Sequence, residues 1–299
     1  MLLHVVIPAY GESPFLRRAI SSVIASVGPE TPITVLDDAS ETTDVRDIAN
    51  SFASRVSYLR NESNLGLASN FFHAFQVSDG DFTVVMGSDD EMIEGYEDVI
   101  SESLREFPKA TLLMPNVLVI DAHGKAVFPL VDRIKRRIRG KLLVNRLIGS
   151  TELINKLFIG NFLYFPAIAW KTNVLLETRW NKEYRHAVDL DLLFNLAIDQ
   201  HNLVLAQKEA FRYRRHSQSV SSLLAQEETR LSEELSVHKT ALHNLDGTKS
   251  YKTVLLANLA LTIRLHGIII GIKQIPRNPA KGFRHITRSM RRLQNQSAK

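Results

Sequence analysis

The sequence predicts an α/β domain on a mostly parallel sheet flanked by helices, extended by a helical C-terminal appendage. Three observations carry this. Strand-like runs rich in β-branched residues alternate with helical patterns, spaced by about 10–15 residues, through residue 120. Paired acids and turn residues gather where those runs end. Residues 251–299 hold ten Lys/Arg and no Asp/Glu, so a basic tail follows a body with 27 basic and 32 acidic groups.

Each element has a local reason. Leu3–Ile7 is a buried strand that reaches Pro8 without a basic leader, so a signal peptide is not expected. Ser13-Pro14 reads as an N-cap followed by proline at N1, opening a helix to about Val27. Ile33–Leu36 is the second strand and Thr43 to Ala53 a helix. Val56–Arg60 is the third strand, and Leu67 to Val77 is a helix with Phe71, Ala74 and Phe75 on one face. Phe82–Met86, a helix from Glu94 to Phe107, and Thr111–Ile120 complete a series of right-handed βαβ units.

After Ile120 the alternation stops. Asp121-Ala122-His123-Gly124 is a turn into Lys125–Phe128, and residues 131–146 carry seven Lys/Arg against one Asp. Asn161–Trp170 is aromatic and irregular, Ala187–Gln200 is an apolar-periodic helix, and Leu203–Tyr213 is a returning strand. From Ser219 onward the pattern is helical, broken at Asp246-Gly247 and at Pro276–Pro279. The expected division is therefore 1–218 for the main domain and 219–299 for the helical basic region.

Composition narrows the chemistry. With 44% hydrophobic and 23% charged residues the chain is globular and not low-complexity. It contains no cysteine, which excludes disulfides, thiolate metal sites and a cysteine nucleophile. Ligands of open parallel sheets bind beyond the carboxyl ends of the strands. There stand Pro8-Ala9-Tyr10-Gly11-Glu12, Asp37-Asp38-Ala39-Ser40 and Gly87-Ser88-Asp89-Asp90. Two acidic pairs at one sheet edge repel unless a cation or a donor-rich ligand lies between them. Asp89 and Asp90 suit Mg²⁺ or Mn²⁺ shared with a substrate phosphate. The lone Gly11 is no dinucleotide fingerprint, and no P-loop is present.

The run VVIPAYGESPFLRRAISSV…ITVLDDASETT…VSYLRNESNLGLASNFFHAF…DFTVVMGSDDEM resembles family 2 glycosyltransferases of the GT-A fold. The resemblance is close over about residues 2–100 and looser over residues 160–222. It implies a nucleotide-sugar-binding half, 1–120, and an acceptor-binding half, 121–218. It further implies that Pro8, Ala9, Tyr10, Glu12 and Asp38 cradle the nucleotide, with Asn64, Gly66, Asn70 and Ser88 near the donor. The family's Asp-x-Asp metal motif falls on Gly87-Ser88-Asp89, so the first acid is missing and Asp89 or Asp90 holds the metal. Asp189, with Asp191 as the alternative, matches the family's catalytic base. In Phe211-Arg212-Tyr213-Arg214-Arg215-His216, Arg214 would neutralise phosphate and His216 would join the metal or the diphosphate.

The reaction so implied moves a sugar from a nucleotide-diphosphate sugar, a UDP-sugar first, to a saccharide or lipid-linked saccharide. By analogy it is inverting and dependent on Mn²⁺ or Mg²⁺, in surface-polysaccharide assembly. A nucleotidyltransferase would want a glycine-rich loop after the first strand, which PAYGES is not. A nucleic-acid-binding protein would interleave aromatics with its basic residues, and the tail offers Tyr251 and Phe283 alone, so no nucleic acid is expected. Val254–Ile263 and Gly267–Ile272 are apolar but separated by Arg264 and His266, so an in-plane or protein-docked helix is preferred to a spanning one. Lys273 to Arg292 joins basic charge to the apolar stripe Ile275, Phe283, Ile286, Met290 and Leu293, the composition of a helix on an anionic leaflet. The expected location is cytoplasmic, peripheral on the inner face of the cell membrane.

Overall fold

The computed structural model describes residues 1–181, 183–216, 228–245, 250–276 and 279–290. Its centre is one nine-stranded sheet. β1 (Leu3–Ala9) is buried along its whole length, as a strand between two parallel neighbours must be. It pairs in parallel with β2 (Ile33–Asp37) and β4 (Phe82–Val85), and β2 pairs in parallel with β3 (Ser57–Arg60). The helices between them are α1 (Leu16–Ile24), α2 (Asp44–Asn50) and α3 (Leu67–Gln76). α1 turns Leu16, Ala19, Ile20 and Val23 onto the sheet, the i, i+3, i+4, i+7 spacing of one helix face.

The other half of the sheet is mixed, and here the expectation of βαβ units runs out. β8 (Ala169–Lys171) lies antiparallel between β4 and β6 (Leu112–Ile120). β9 (Leu203–Arg214) runs parallel to β6, with a register shift around Asn116, and β5 (Glu91–Met92) and β7 (Arg146–Ile148) pair antiparallel with β9. Strands of two or three residues are too short for a period of two to show in sequence. The turn at 121–124 forms as expected, with Gly124 in the left-handed region, but the segment after it makes one bridge, Ile120 to Ala126, and no strand.

Helices α4 (Tyr96–Glu106), α5 (Leu130–Arg139), α6 (Ser150–Ile159), α7 (Thr172–Glu177) and α8 (Val188–Ile198) cover the sheet. α5 holds five of the seven cations of residues 131–146, and its Asp132 is buried. The expected cap of α1 is not made. Ser13 lies in the preceding turn, with its carbonyl accepting from the Leu16 amide, and its hydroxyl lies 3.5 Å from the Ser88 carbonyl across the sheet edge. Trp170, at the centre of the sheet, packs against Phe75 and Phe165.

α9 (Glu228–Asn244), α10 (Tyr251–Leu259), α11 (Leu261–Gln274) and α12 (Pro279–Met290) follow. α9 packs on α8, where His238 is buried between Phe158 and Phe194. Burial pushes the His238 imidazole down to about 4, so it is neutral in the fold. α10 packs on α6, and Thr262 of α11 donates 2.7 Å to the Ile159 carbonyl at the end of α6. The expected boundary at 218/219, the break at Asp246-Gly247, Arg277, and the tail residues Arg291, Arg292 and Leu293 lie outside the described residues. So do the side chains of Lys273, Lys281, Arg288 and Met290.

Candidate active site

Beyond the carboxyl ends of β1, β2 and β3 the polar groups converge. Asp37 is fully buried and accepts from the Ser40 amide and hydroxyl, the Tyr58 hydroxyl at 2.6 Å and Arg60 at 2.9 Å. Burial alone would raise its carboxyl, but these donors outweigh it and hold Asp37 below the usual carboxylate range. Asp38, 3% exposed, accepts from Asn61 Nδ2 at 2.7 Å and from the amides of Leu65 and Gly66 at 2.9 and 3.0 Å. Its carboxylate therefore fixes the 61–66 loop, which walls the crevice.

Asn61 is the hub that sequence reasoning missed. Its Nδ2 also reaches Asn70 Oδ1 at 2.9 Å, and its Oδ1 lies 2.8 Å from His73 Nδ1, so one amide joins β2, the loop after β3 and α3. Its only sequence signal is its place immediately after a strand. Asn64 accepts from the Gly66 amide, and Gly66 opens α3 at φ +77°, a conformation glycine adopts without strain. Tyr10 is 53% exposed and Glu12 is exposed, so both are free to meet a ligand, whereas Pro8 and Ala9 are buried in β1.

The acidic turn lies at the end of β4. Asp89 is partly open, and its Oδ2 lies 2.9 Å from His216 Nε2. Asp90 is buried, and its Oδ1 accepts from the Arg214 amide at 2.8 Å. Burial, and then the charge of Asp89, push the Asp90 carboxyl well above the usual range. Gly87 supplies the room: a Cβ there would stand 2.8 Å from Asp89 Oδ1 and 2.9 Å from Asp90 Oδ2. The Asp89 carboxylate and the His216 imidazole are donor types that suit a divalent cation, with Asp90 buried behind them. Among the described residues no group of three or more His, Asp or Glu side chains is arranged to hold a metal, so the protein alone offers no complete cage.

Arg214 does not reach into the crevice as expected. It is 1% exposed and spent on the protein: Nε donates to the Asp89 carbonyl at 2.7 Å, and a terminal nitrogen donates to the Asp121 carbonyl at 3.0 Å. The other pairs with Glu91, and the guanidinium lies over Phe15. Arg214 thus clamps the acidic turn onto the end of β9 from behind. The neighbouring Arg215 instead forms a bidentate pair with Asp132 of α5, which also accepts from the Tyr164 hydroxyl at 2.9 Å.

Asp189, in the first turn of α8, is half-buried; its Oδ2 accepts from Asn161 Nδ2 at 2.8 Å and its Oδ1 from the Leu190 amide. Burial raises its carboxyl, opposed by the charges of Lys135 and Arg230. Lys135 Nζ donates 2.6 Å to the Leu163 carbonyl and lies over the Tyr164 ring, and burial pushes it down to about 8. Contacts run from Lys135 through Tyr164 to Asp132 and Arg215, next to His216, and the charge of Lys135 acts on Asp189. Asp191 faces elsewhere, buried beside Asn195 and on the side of Asn181 and Arg179. Asp189, and not Asp191, therefore feels the charge of Lys135.

A parallel half, a mixed second half and an acidic turn at the sheet edge are the architecture of a GT-A fold. Residues 4–114 match the sequence model of glycosyl transferase family 2. The matched stretch, a little over a third of the chain, is similar to family 2 glycosyltransferases and supports a glycosyltransferase. No curated protein matches it by sequence. Among solved structures it is similar to residues 1–349 of S. aureus TarS in complex with UDP-GlcNAc, with a TM-score of 0.65 and 12% identity over 97% of this chain and 90% of that one. The same S. aureus fragment in complex with UDP gives 0.58 and 13% over the same shares, and the longer S. aureus TarS chain gives 0.59 and 13% with 55% of that chain covered. At such identity the likeness is one of fold.

Proposed function

We propose that this glycosyltransferase transfers the sugar of a UDP-sugar, in one inverting and metal-dependent displacement, to a hydroxyl of a saccharide or lipid-linked saccharide. What supports the reading is the pairing of Asp89 with His216, and a series of contacts from the neighbouring Arg215 through Asp132 and Tyr164 to Lys135, whose charge acts on Asp189. The resolved neighbours in complex with UDP and UDP-GlcNAc make a uridine donor the first choice.

Tyr10 and Glu12, with the 61–66 loop that Asp38 fixes, bind the nucleotide; Ser88, Asn64 and Asn70 shape the donor side. Asp89 and His216, with Asp90 behind them, would hold a divalent cation, which when bound neutralises charge on the departing diphosphate. Asp189 accepts the proton of the acceptor hydroxyl as that oxygen bonds to the anomeric carbon and the bond to the diphosphate oxygen breaks. Asn161 and the Leu190 amide fix the carboxylate for that task. Asp132, the carboxylate of that same series, is tied to Arg215 and the Tyr164 hydroxyl and is not free to act as a nucleophile, which favours a single displacement.

The test is a panel of sugar nucleotides with Mn²⁺ or Mg²⁺ and a mixture of free and lipid-linked saccharides, read as nucleotide release and product mass. One donor is expected to lose its sugar to an acceptor, with inversion at the anomeric carbon by NMR. A product with retained configuration, or equal turnover in EDTA, would overturn the inverting or the metal-dependent part.

A further inference from the structure

We propose that α10 and α11 carry a membrane-facing surface that rests on an anionic lipid leaflet. Tyr251, Leu255 and Leu259 recur every four residues along α10, and Leu261, Leu265 and Ile269 do so along α11, so each set forms one helix face. All six are exposed, Tyr251 at 85% and Leu261 at 59%, while the opposite sides pack through Thr253, Ala257 and Ile263. The two rows meet at Ala260, whose left-handed backbone (φ +38°) ends one helix and starts the next.

This joint also settles how the segment relates to a bilayer. Tyr251–Ile272 is long and apolar enough to cross a membrane, with a mean hydropathy of 1.8. A spanning helix, however, keeps its backbone bonded throughout and its cations out of the hydrocarbon. Here the helix breaks at Ala260, and Arg264 turns inward to donate to the carbonyls of Asn258 and Ser289 at 2.8 and 2.9 Å. The segment lies along a surface and presents leucines outward.

Charge selects the occupant. Residues 251–299 hold ten Lys/Arg and no Asp/Glu, and Lys252 and Arg284 are exposed beside the apolar rows, as is Phe283 on α12. A neutral protein partner needs no such excess, whereas an anionic leaflet attracts it and takes up the leucines beneath its headgroups. The apolar face thus precedes the segment that composition singled out, ending at Ile269, about one turn before Lys273.

The experiment is co-sedimentation of the full chain with vesicles of phosphatidylcholine alone or with a third phosphatidylglycerol. It compares the wild type with Leu255→Glu/Leu265→Glu/Ile269→Glu and with Lys252→Glu/Arg284→Glu. The wild type is expected to bind the anionic vesicles, and both variants to lose about tenfold in partition while keeping the wild-type circular dichroism, melting temperature and sugar-nucleotide turnover. High salt should release the wild type. Equal partition of wild type and variants would overturn the proposal. So would a vesicle-free dimer, seen by analytical ultracentrifugation and broken by the leucine substitutions, since a second copy would then cover the face.

Discussion

Asp189 and Asp191 lie two positions apart in one helix turn, and burial raises both, yet their surroundings differ. Asp189 has the cations Lys135 and Arg230 near it and Asn161 fixing its orientation, whereas Asp191 faces Asn195. Asp189→Asn keeps the shape and removes the basic oxygen, so kcat should fall by about 10²–10⁴ with UDP affinity unchanged by calorimetry. Asp191→Asn should leave the rate within a few fold. Removing the cation in Lys135→Met should raise the Asp189 carboxyl further, moving the acid limb of the kcat/KM profile to higher pH; an unmoved limb would separate the two groups. Asp37 behaves in the opposite sense. Its folded value lies below the unfolded one, so the stability it contributes is present above the usual carboxylate range and is lost as pH falls through the folded value. Tyr58→Phe should cost about 1.5–3 kcal/mol at neutral pH and less in acid, measured by urea unfolding.

At the scale of elements, the end of β9 holds the site together. Arg214 joins β9, the acidic turn and the 121–122 turn, and none of its bonds reaches the crevice. Arg214→Met leaves Glu91 and the Asp89 carbonyl without their buried partner, which should cost about 3–5 kcal/mol of stability with loss of turnover. An unfolding midpoint equal to wild type would show that the clamp is not structural. This role was illegible in sequence, because RYRRH reads alike whether an arginine points outward or under a turn. The parallel half was legible, since β1, β2 and β4 are buried, mostly apolar runs and paired acids follow two of them. β5, β7 and β8 were not, because two or three residues take their partner from the sheet and not from their own pattern. Asn61, Asn161 and Lys135 were missed for a related reason: each works through side-chain bonds to residues distant in sequence.

Across the whole molecule, the parallel half supplies the acidic turn at its sheet edge, the mixed half carries Asp189 on α8, and α9 packs on α8. Glu233 of α9 accepts from the backbone amides of Arg185, His186 and Ala187 just before α8, so the C-terminal helices support the first turn of α8, where Asp189 sits. The central claim is that Asp89, together with His216, holds the donor diphosphate through a divalent cation. Its most direct test is calorimetric titration of UDP into wild type and Asp89→Asn, each in Mn²⁺ and in EDTA. The account predicts that EDTA weakens wild-type binding at least about tenfold, or about 1.4 kcal/mol, and that Asp89→Asn in Mn²⁺ binds no better than wild type in EDTA. Equal UDP affinity in all four titrations would contradict it.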